Sequence, residues 1–357
     1  MMHYVMTILL FIIVFGVVVI SHEFGHFIIA RMNGIHVVEF MIGMGPKLIS
    51  WGKKDTIYSI RLLPIGGACM FEGEDGLNEK EGDAKDSPGA FPNANVWARI
   101  ATVAAGPFFN FILALLVAVI MVPMIQLHDA VVSEIVEGGA AQEAGLLGGD
   151  RIIRLNKERI HLFSEVYTFA QLNKGNPVTI LYERDGERYE TILTPKYDAE
   201  ANAYYFGIIN SDLVQVKGLR CIQYGWYEVR AGVKNTYKSL LMLVTGKLGR
   251  QDVAGPVGMA HMVGEIYEET KEDWRDVFVN MLNLTMLISV SLGIMNILPF
   301  PALDGGRLVF LIVEVFRGKP VPPEKEGLVH FIGLVFFMIL MVVVLFNDVT
   351  NILHIGS

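Results

Sequence analysis

Cysteine is scarce in this chain: Cys69 and Cys221 are the only two among 357 residues. One pair cannot build a disulfide scaffold, so the fold must rest on packing. Lys and Arg are missing from residues 1–30 and 328–357, and charged residues make up only 18% of the whole. No basic stripe stands out and the net charge is −8, which argues against a nucleic-acid partner. No basic residue precedes the first apolar run and no small-residue cleavage signal follows it, so that run reads as a retained helix and not a signal peptide. No internal repeat is evident, which weakens a transporter or channel reading.

What the chain has in excess is apolar length. Hydrophobic residues make up 52% and mean hydropathy is +0.44, too apolar for an ordinary soluble domain. Four runs, 4–21, 100–127, 277–303 and 328–347, lack Lys, Arg, Asp and Glu. Each is long enough to cross a hydrocarbon core of about 30 Å as a helix. Four spans put both termini on one side. Basic residues gather in 31–99 (Arg31, Lys47, Lys53, Lys54, Arg61, Lys80, Lys85, Arg99) and in 304–327 (Arg307, Arg317, Lys319, Lys325). Those loops are therefore assigned to the cytoplasm, and both termini and segment 128–276 to the exterior. Cys69 and Cys221 then lie on opposite sides of the membrane, which argues against a disulfide between them.

Between the spans, residues 33–71 are rich in β-formers and punctuated by Gly43, Gly45, Gly52, Gly66 and Gly67. They read as β-hairpins, apolar enough to associate with the membrane where protein or water satisfies the backbone. Residues 72–95 are acidic and rich in turn formers, a loop. The stretch "GGAAQEAGLLGGDRIIRLN" begins an α+β segment with a helix near 163–173 and strands "PVTILYER" and "RYETILTP" joined at "DGE". This segment resembles a PDZ domain over 128–198, which implies a site for an extended peptide or a free C-terminus. Residues 223–248 fit either a helix at the outer interface or an amphipathic helix packed on the PDZ domain. The expected fold is thus a polytopic α-helical membrane protein with four transmembrane helices, a membrane-associated β-hairpin region and an external PDZ domain. Its parts are the first helix 1–30, hairpin region and loop 31–99, second helix 100–127, PDZ domain 128–198, linker with interfacial helix 199–276, third helix 277–303, loop 304–327, and fourth helix with tail 328–357.

The chemistry sits where lipid should discourage it. "SHEFGH" places His22, Glu23 and His26 at the end of the first run, and ionisable groups inside a span are costly enough to signal function. His22 and His26, four apart, share one helix face. His-Glu-x-x-His on a helix supplies two zinc ligands and a general base, here Glu23. A catalytic zinc needs a third protein ligand with one position left open. Asp304, in "NILPFPALDGGR", ends the third run on the same side of the membrane and is the carboxylate that fits.

Together these residues resemble the site-2 protease family of intramembrane zinc metalloproteases. His22, Glu23 and His26 match its His-Glu-x-x-His motif, and Leu303, Asp304 and Gly305 its Leu-Asp-Gly motif. "GPFFN", with Gly106 and Asn110, and "GPVGMAHMVG" match the bacterial branch typified by the regulator of sigma-E protease. One PDZ copy stands here where that namesake has two. The resemblance implies a Zn2+ endopeptidase that cuts transmembrane segments of pre-trimmed single-pass proteins, such as anti-sigma factors or remnant signal peptides, in a plasma membrane. Asn110 and Asn296 are candidates for holding substrate backbone or oxyanion, or for helix-to-helix hydrogen bonds. Pro299 and Pro301 break the third helix and open room beside Asp304. The alternative is a non-proteolytic PDZ scaffold, against which the retained Glu23 weighs.

Overall fold

The structure is a computed structural model describing residues 2–52, 56–73, 87–199, 203–246 and 254–355. The chain divides into two compact units, Met1–Val117 with Gly232–Ser357, and Ala118–Ala231. Much of the acidic loop expected at 72–95 lies outside the described residues.

The first apolar run forms α1 (Met2–Met32). Two long strands follow, β1 (Val37–Trp51) and β2 (Ile57–Phe71), paired antiparallel as one hairpin with several register shifts. Its distal part is exposed on both faces and carries Met44, Leu48, Ile49, Trp51, Leu62 and Leu63, apolar surface suited to a non-aqueous neighbour. Its interior holds a buried carboxylate: Glu39 accepts from Lys47 at 2.9 Å, Arg61 at 3.2 Å and the Ser59 hydroxyl. The second run forms α2 (Val96–Met121), with Pro107 inside it. Proline offers no amide to the preceding turn, and Pro107 follows directly on Gly106.

The unit Ala118–Ala231 begins with β3 (Leu127–His128), β4 (Glu134–Ile135) and α3 (Ala140–Glu143). Next come β5 (Arg151–Leu155), β6 (Glu158–Arg159), α4 (Phe163–Asn173), β7 (Val178–Arg184) and β8 (Glu187–Leu193). Strands β6, β5, β7 and β8 lie side by side in one antiparallel sheet. Alternation in β7 buries Val178, Ile180 and Tyr182, which pack with Ile152, Leu155, Val166, Phe169 and Leu193. The sequence-based boundary at 198 is too early. After β9 (Lys196–Asp198), β10 (Ala203–Tyr205) pairs with it, β11 (Ile208–Ile209) returns to β4 and β12 (Leu213–Val214) returns to β3. These short strands carry weak alternation, so only their partners reveal them.

The helix expected at 223–248 is α5 (Arg220–Val244). A helix not expected in the linker, α6 (Pro256–Thr270), starts at the "GPVG" motif. The third run forms α7 (Trp274–Ile297), ending before residue 303 because Pro299 and Pro301 cannot continue it. Residues 304–327 are not a simple loop, since α8 (Asp304–Arg317) is helical and amphipathic. The last run forms α9 (Pro323–Ile355). Among the described residues, four helices are long and apolar enough to cross a membrane: His3–Met32, Val96–Met124, Trp274–Ile297 and Pro323–Asn351. The α6 N-terminus is capped from α9, where buried Asp348 accepts from the Gly255 and Gly258 amides at 2.9 and 2.8 Å.

Candidate metal centre

Three side-chain atoms converge between α1 and α8. His22 Nε2 lies 3.2 Å from His26 Nε2. Asp304 Oδ2 lies 3.1 Å from the first and 3.4 Å from the second. A tetrahedral zinc with bonds of about 2.0–2.1 Å separates its ligands by about 3.3 Å, so the triangle has the size that one ion requires. The hydrogen-bond pattern agrees. His26 Nδ1 faces the Thr102 carbonyl at 2.9 Å and must donate to it, which leaves a lone pair on Nε2. Asp304 Oδ2 is buried and receives no hydrogen bond among the described residues. Electron-rich atoms packed this closely call for a cation, and His26, His22 and Asp304 form the one cluster of this kind among the described residues. The donor set therefore fits zinc.

The fold fixes each ligand through backbone contact. Ser21 donates to the Phe109 carbonyl at 3.2 Å and joins α1 to α2. Gly106 of α2 lies directly over the histidines: a Cβ there would meet His26 Nε2 and would stand 2.8 Å from His22 Cε1. The missing side chain is the space in which an ion can sit. Asp304 opens α8, where the helix N-terminus favours negative charge. Gly305 packs against the Ile297 and Leu298 carbonyls, so the turn from α7 into α8 closes tightly behind the carboxylate. Farther along α8, Glu314 pairs with Arg99 of α2 through both oxygens, at 2.5 and 3.1 Å.

Glu23 is half-buried beside this triangle on α1. Gly67 of β2 lies over it, with room for a Cβ only 3.0 Å from Glu23 Cγ. The hairpin expected at the membrane thus covers the proposed base. Asn110 is fully buried, and its Nδ2 is 3.3 Å from His22 Nδ1. Its Oδ1 has no partner among the described residues. Turning the carboxamide over, an assignment that heavy atoms alone do not fix, lets Oδ1 accept from His22 Nδ1–H. Asn296 lies in the last turn of α7, half-buried, with no side-chain hydrogen bond among the described residues. Pro299 and Pro301 lie in the irregular segment before α8, and Pro301 abuts Gly333 of α9. Neither Thr102 nor the Arg99–Glu314 pair carries a signal in the sequence. Gly106 and Asn110, four apart on α2, do share one face, a signal that the GPFFN motif contains.

A histidine pair on one helix with a distant aspartate and an adjacent glutamate is the donor set that zinc metalloproteases use, here among helices of membrane-spanning length. The model of Peptidase family M50 matches residues 10–340, and the chain belongs to that site-2 protease family, as the resemblance implied. A Clostridium acetobutylicum protein is 35% identical over 96% of this chain and 97% of its own. The regulator of sigma-W protease RasP of Bacillus subtilis is 31% identical over 97% of this chain and 99% of its own. The zinc metalloprotease RasP of Bacillus licheniformis is 32% identical over 96% and 98%. Among solved structures, the PDZ domain of an SdrC-like protein from Listeria monocytogenes covers 24% of this chain and 90% of that one, at 20% identity and TM-score 0.22.

Proposed function

We propose that His22, His26 and Asp304 hold the zinc, that Glu23 is the general base, and that the enzyme hydrolyses peptide bonds within transmembrane segments of pre-trimmed single-pass proteins. The observation that carries this is the triangle of two imidazole nitrogens and one carboxylate oxygen, with sides of 3.1, 3.2 and 3.4 Å. Zinc, when bound there, supplies Lewis-acid activation of water and of the scissile carbonyl. Glu23 takes the proton of the attacking water and passes it to the leaving nitrogen as the C–N bond breaks. Thr102 fixes the His26 tautomer and Asn110 that of His22, since the partner of the second ring nitrogen orients a ligand histidine. Asn296 is left as the residue to hold substrate backbone or oxyanion, and the non-helical residues around Pro299 and Pro301 leave it room.

A substrate helix hides its amides in its own hydrogen bonds and must unwind before attack. The β1–β2 hairpin, already against Glu23, offers strand edges to replace the lost bonds. Both termini and the PDZ-type domain lie outside and the metal centre near the cytoplasmic face of a plasma membrane, following the distribution of Lys and Arg. The Bacillus subtilis relative is named for sigma-W regulation, which favours membrane-bound anti-sigma factors as substrates; remnant signal peptides are the second class that the family resemblance implies. The PDZ-type domain either excludes untrimmed substrates by size or binds their new C-terminus.

The test pairs wild type with Glu23→Gln, both purified in detergent, analysed for metal and incubated with a fusion carrying a trimmed transmembrane helix. Wild type should cut and Glu23→Gln should not, with about one zinc in each. Cleavage by Glu23→Gln, or absence of zinc from both, would overturn the assignment.

A further inference from the structure

The unit Ala118–Ala231 contains a cavity of about 390 Å³ far in sequence from the metal ligands, lined by Arg151, Arg159, Arg188, Arg220, Asp129 and Glu183. Leaving Arg159 aside, Arg151, Arg188 and Arg220 face two acids, and one acid is already engaged: Asp129 accepts from Tyr224 Oη at 2.7 Å and from Arg151 at 3.1 Å. Arg220 donates to Tyr224 Oη at 3.1 Å and lies over that ring at 5.4 Å, which leaves most of its five donors available. Arg188 stands opposite Glu183 in the β7–β8 register but forms no ion pair among the described residues. The lining therefore has surplus positive charge and unfilled planar donors, the arrangement that recognises a phosphate.

The cavity's place in the unit says which phosphate. Tyr224 and Cys221 of α5 pack with Val122 and Leu127, just past the end of α2. Gly225 lies against the last turn of α2, where a Cβ would stand 3.1 Å from Val119 N. The arginines thus gather at the level where a membrane-spanning helix ends. On the same stretch Leu219, Ile222 and Trp226 are 85%, 53% and 55% exposed. Their spacing puts them on one face, and a tryptophan with aliphatic side chains beside basic residues is the pattern of a membrane–water interface.

We propose that this cavity binds the phosphate of an anionic phospholipid headgroup in the leaflet where α2 ends, with Leu219, Ile222 and Trp226 entering the adjoining acyl boundary. The site rests on α2 crossing the membrane and not on the identity of the metal ligands, so failure of the zinc assignment would leave it standing.

The full chain, purified in a neutral detergent, would be titrated with dihexanoyl phosphatidylglycerol, dihexanoyl phosphatidylcholine and inorganic phosphate, with bound molecules counted by native mass spectrometry. Wild type should bind the glycerol lipid saturably and the choline lipid roughly tenfold more weakly. Arg188→Gln with Arg220→Gln should weaken the glycerol lipid by roughly tenfold or more, and the double Lys variant should recover part of it. Thermal unfolding checks that both variants fold, and single substitutions replace any that do not. Equal binding of the two lipids, or an unchanged double Gln variant, would overturn the proposal. Inorganic phosphate binding as tightly as the lipid would reassign the site to free phosphate. A peptide with a free C-terminus that binds there, where the lipid does not, would reassign it to substrate recruitment.

Discussion

Adding one carbon at Gly106 should empty the metal centre without unfolding the protein. An alanine Cβ at this position would contact His26 Nε2 and stand 2.5 Å from His26 Cε1 and 2.8 Å from His22 Cε1. Ordinary contact needs about 3.5 Å, so the His26 ring or the α2 backbone must move by about 1 Å. Moving the ring breaks its hydrogen bond to the Thr102 carbonyl, 2.9 Å in the present structure, and with it the tautomer that leaves Nε2 free. Moving α2 carries Thr102 and Asn110 away from both histidines. Disturbing such supporting contacts lowers metal affinity by about 10–100-fold, and a 1 Å misplacement lowers the rate by about 100-fold. Helix propensity acts in the opposite direction, since alanine is favoured over glycine by about 1 kcal/mol in a helix interior. That gain offsets part of the overpacking cost of about 1–3 kcal/mol, so Gly106→Ala should still fold, with a modestly lowered melting temperature, while losing zinc to a weaker chelator and losing cleavage. The matched control is Gly16→Ala on α1, where no atom lies within 4 Å of the added carbon. It should keep zinc and activity. If Gly106→Ala retains zinc and cleaves like Gly16→Ala, the ion does not occupy the space beneath Gly106.

Asn110→Leu removes the partner of His22 Nδ1 at 3.3 Å and should weaken zinc by about 10–100-fold, read by competition with a chelator; unchanged affinity would return Asn110 to a packing role. Glu228 tests pH linkage away from the metal: burial, then the nearby Glu165 carboxylate, push its carboxyl up to about 7. Its contribution is full below the unfolded value of about 4.3 and is lost as pH rises through about 7, so stability should fall across that window. Because the side chain is only half-buried, solvent screening reduces the effect to about 1–2 kcal/mol; Glu228→Gln should flatten the unfolding curve between pH 4.5 and 8, and an unchanged slope would refute the linkage. Leu213 sits opposite His128 in the β3–β12 pair, so residues 129–212 can be replaced by a short Gly-Ser turn. Loss of a size filter would permit cutting of full-length substrate, whereas loss of a recruiter would reduce all cutting.

The sequence made the apolar helices legible because an uninterrupted run of membrane-spanning length has few other uses. It also made His22, Glu23 and His26 legible, because their spacing carries the chemistry by itself. Asp304 required an argument from topology. The short strands β9 to β12 were not legible, since two or three residues show no alternation; β9 and β10 pair only with each other, and β11 and β12 find their partners far back in the chain, as Leu213 does with His128. The α8 helix was hidden behind its glycines, which read as loop. Gly305 is helical, and it is glycine because Ile297 and Leu298 carbonyls crowd its Cβ position. Thr102 could not be found from residue type at all, because it acts through a backbone carbonyl that any residue would supply.

The same reasoning explains why the centre is so dependent on absent side chains. Its parts come from α1, β2, α2 and the α7–α8 turn, and each junction closes on a glycine. Gly25 sets α1 against the Ala105 carbonyl, Gly67 sets the hairpin over Glu23, Gly106 clears the space at the histidines, and Gly305 seats Asp304 behind α7. In lipid, apolar burial gives little drive between helices, and close backbone packing with interhelical hydrogen bonds takes its place. Ser21 to the Phe109 carbonyl at 3.2 Å and Ser289 to the Asn110 carbonyl at 2.8 Å are bonds of that kind. The contacts that hold the helices together are therefore the ones that set the ligand distances, and a substitution that loosens the bundle at these positions should appear first as lost zinc and only later as lost fold.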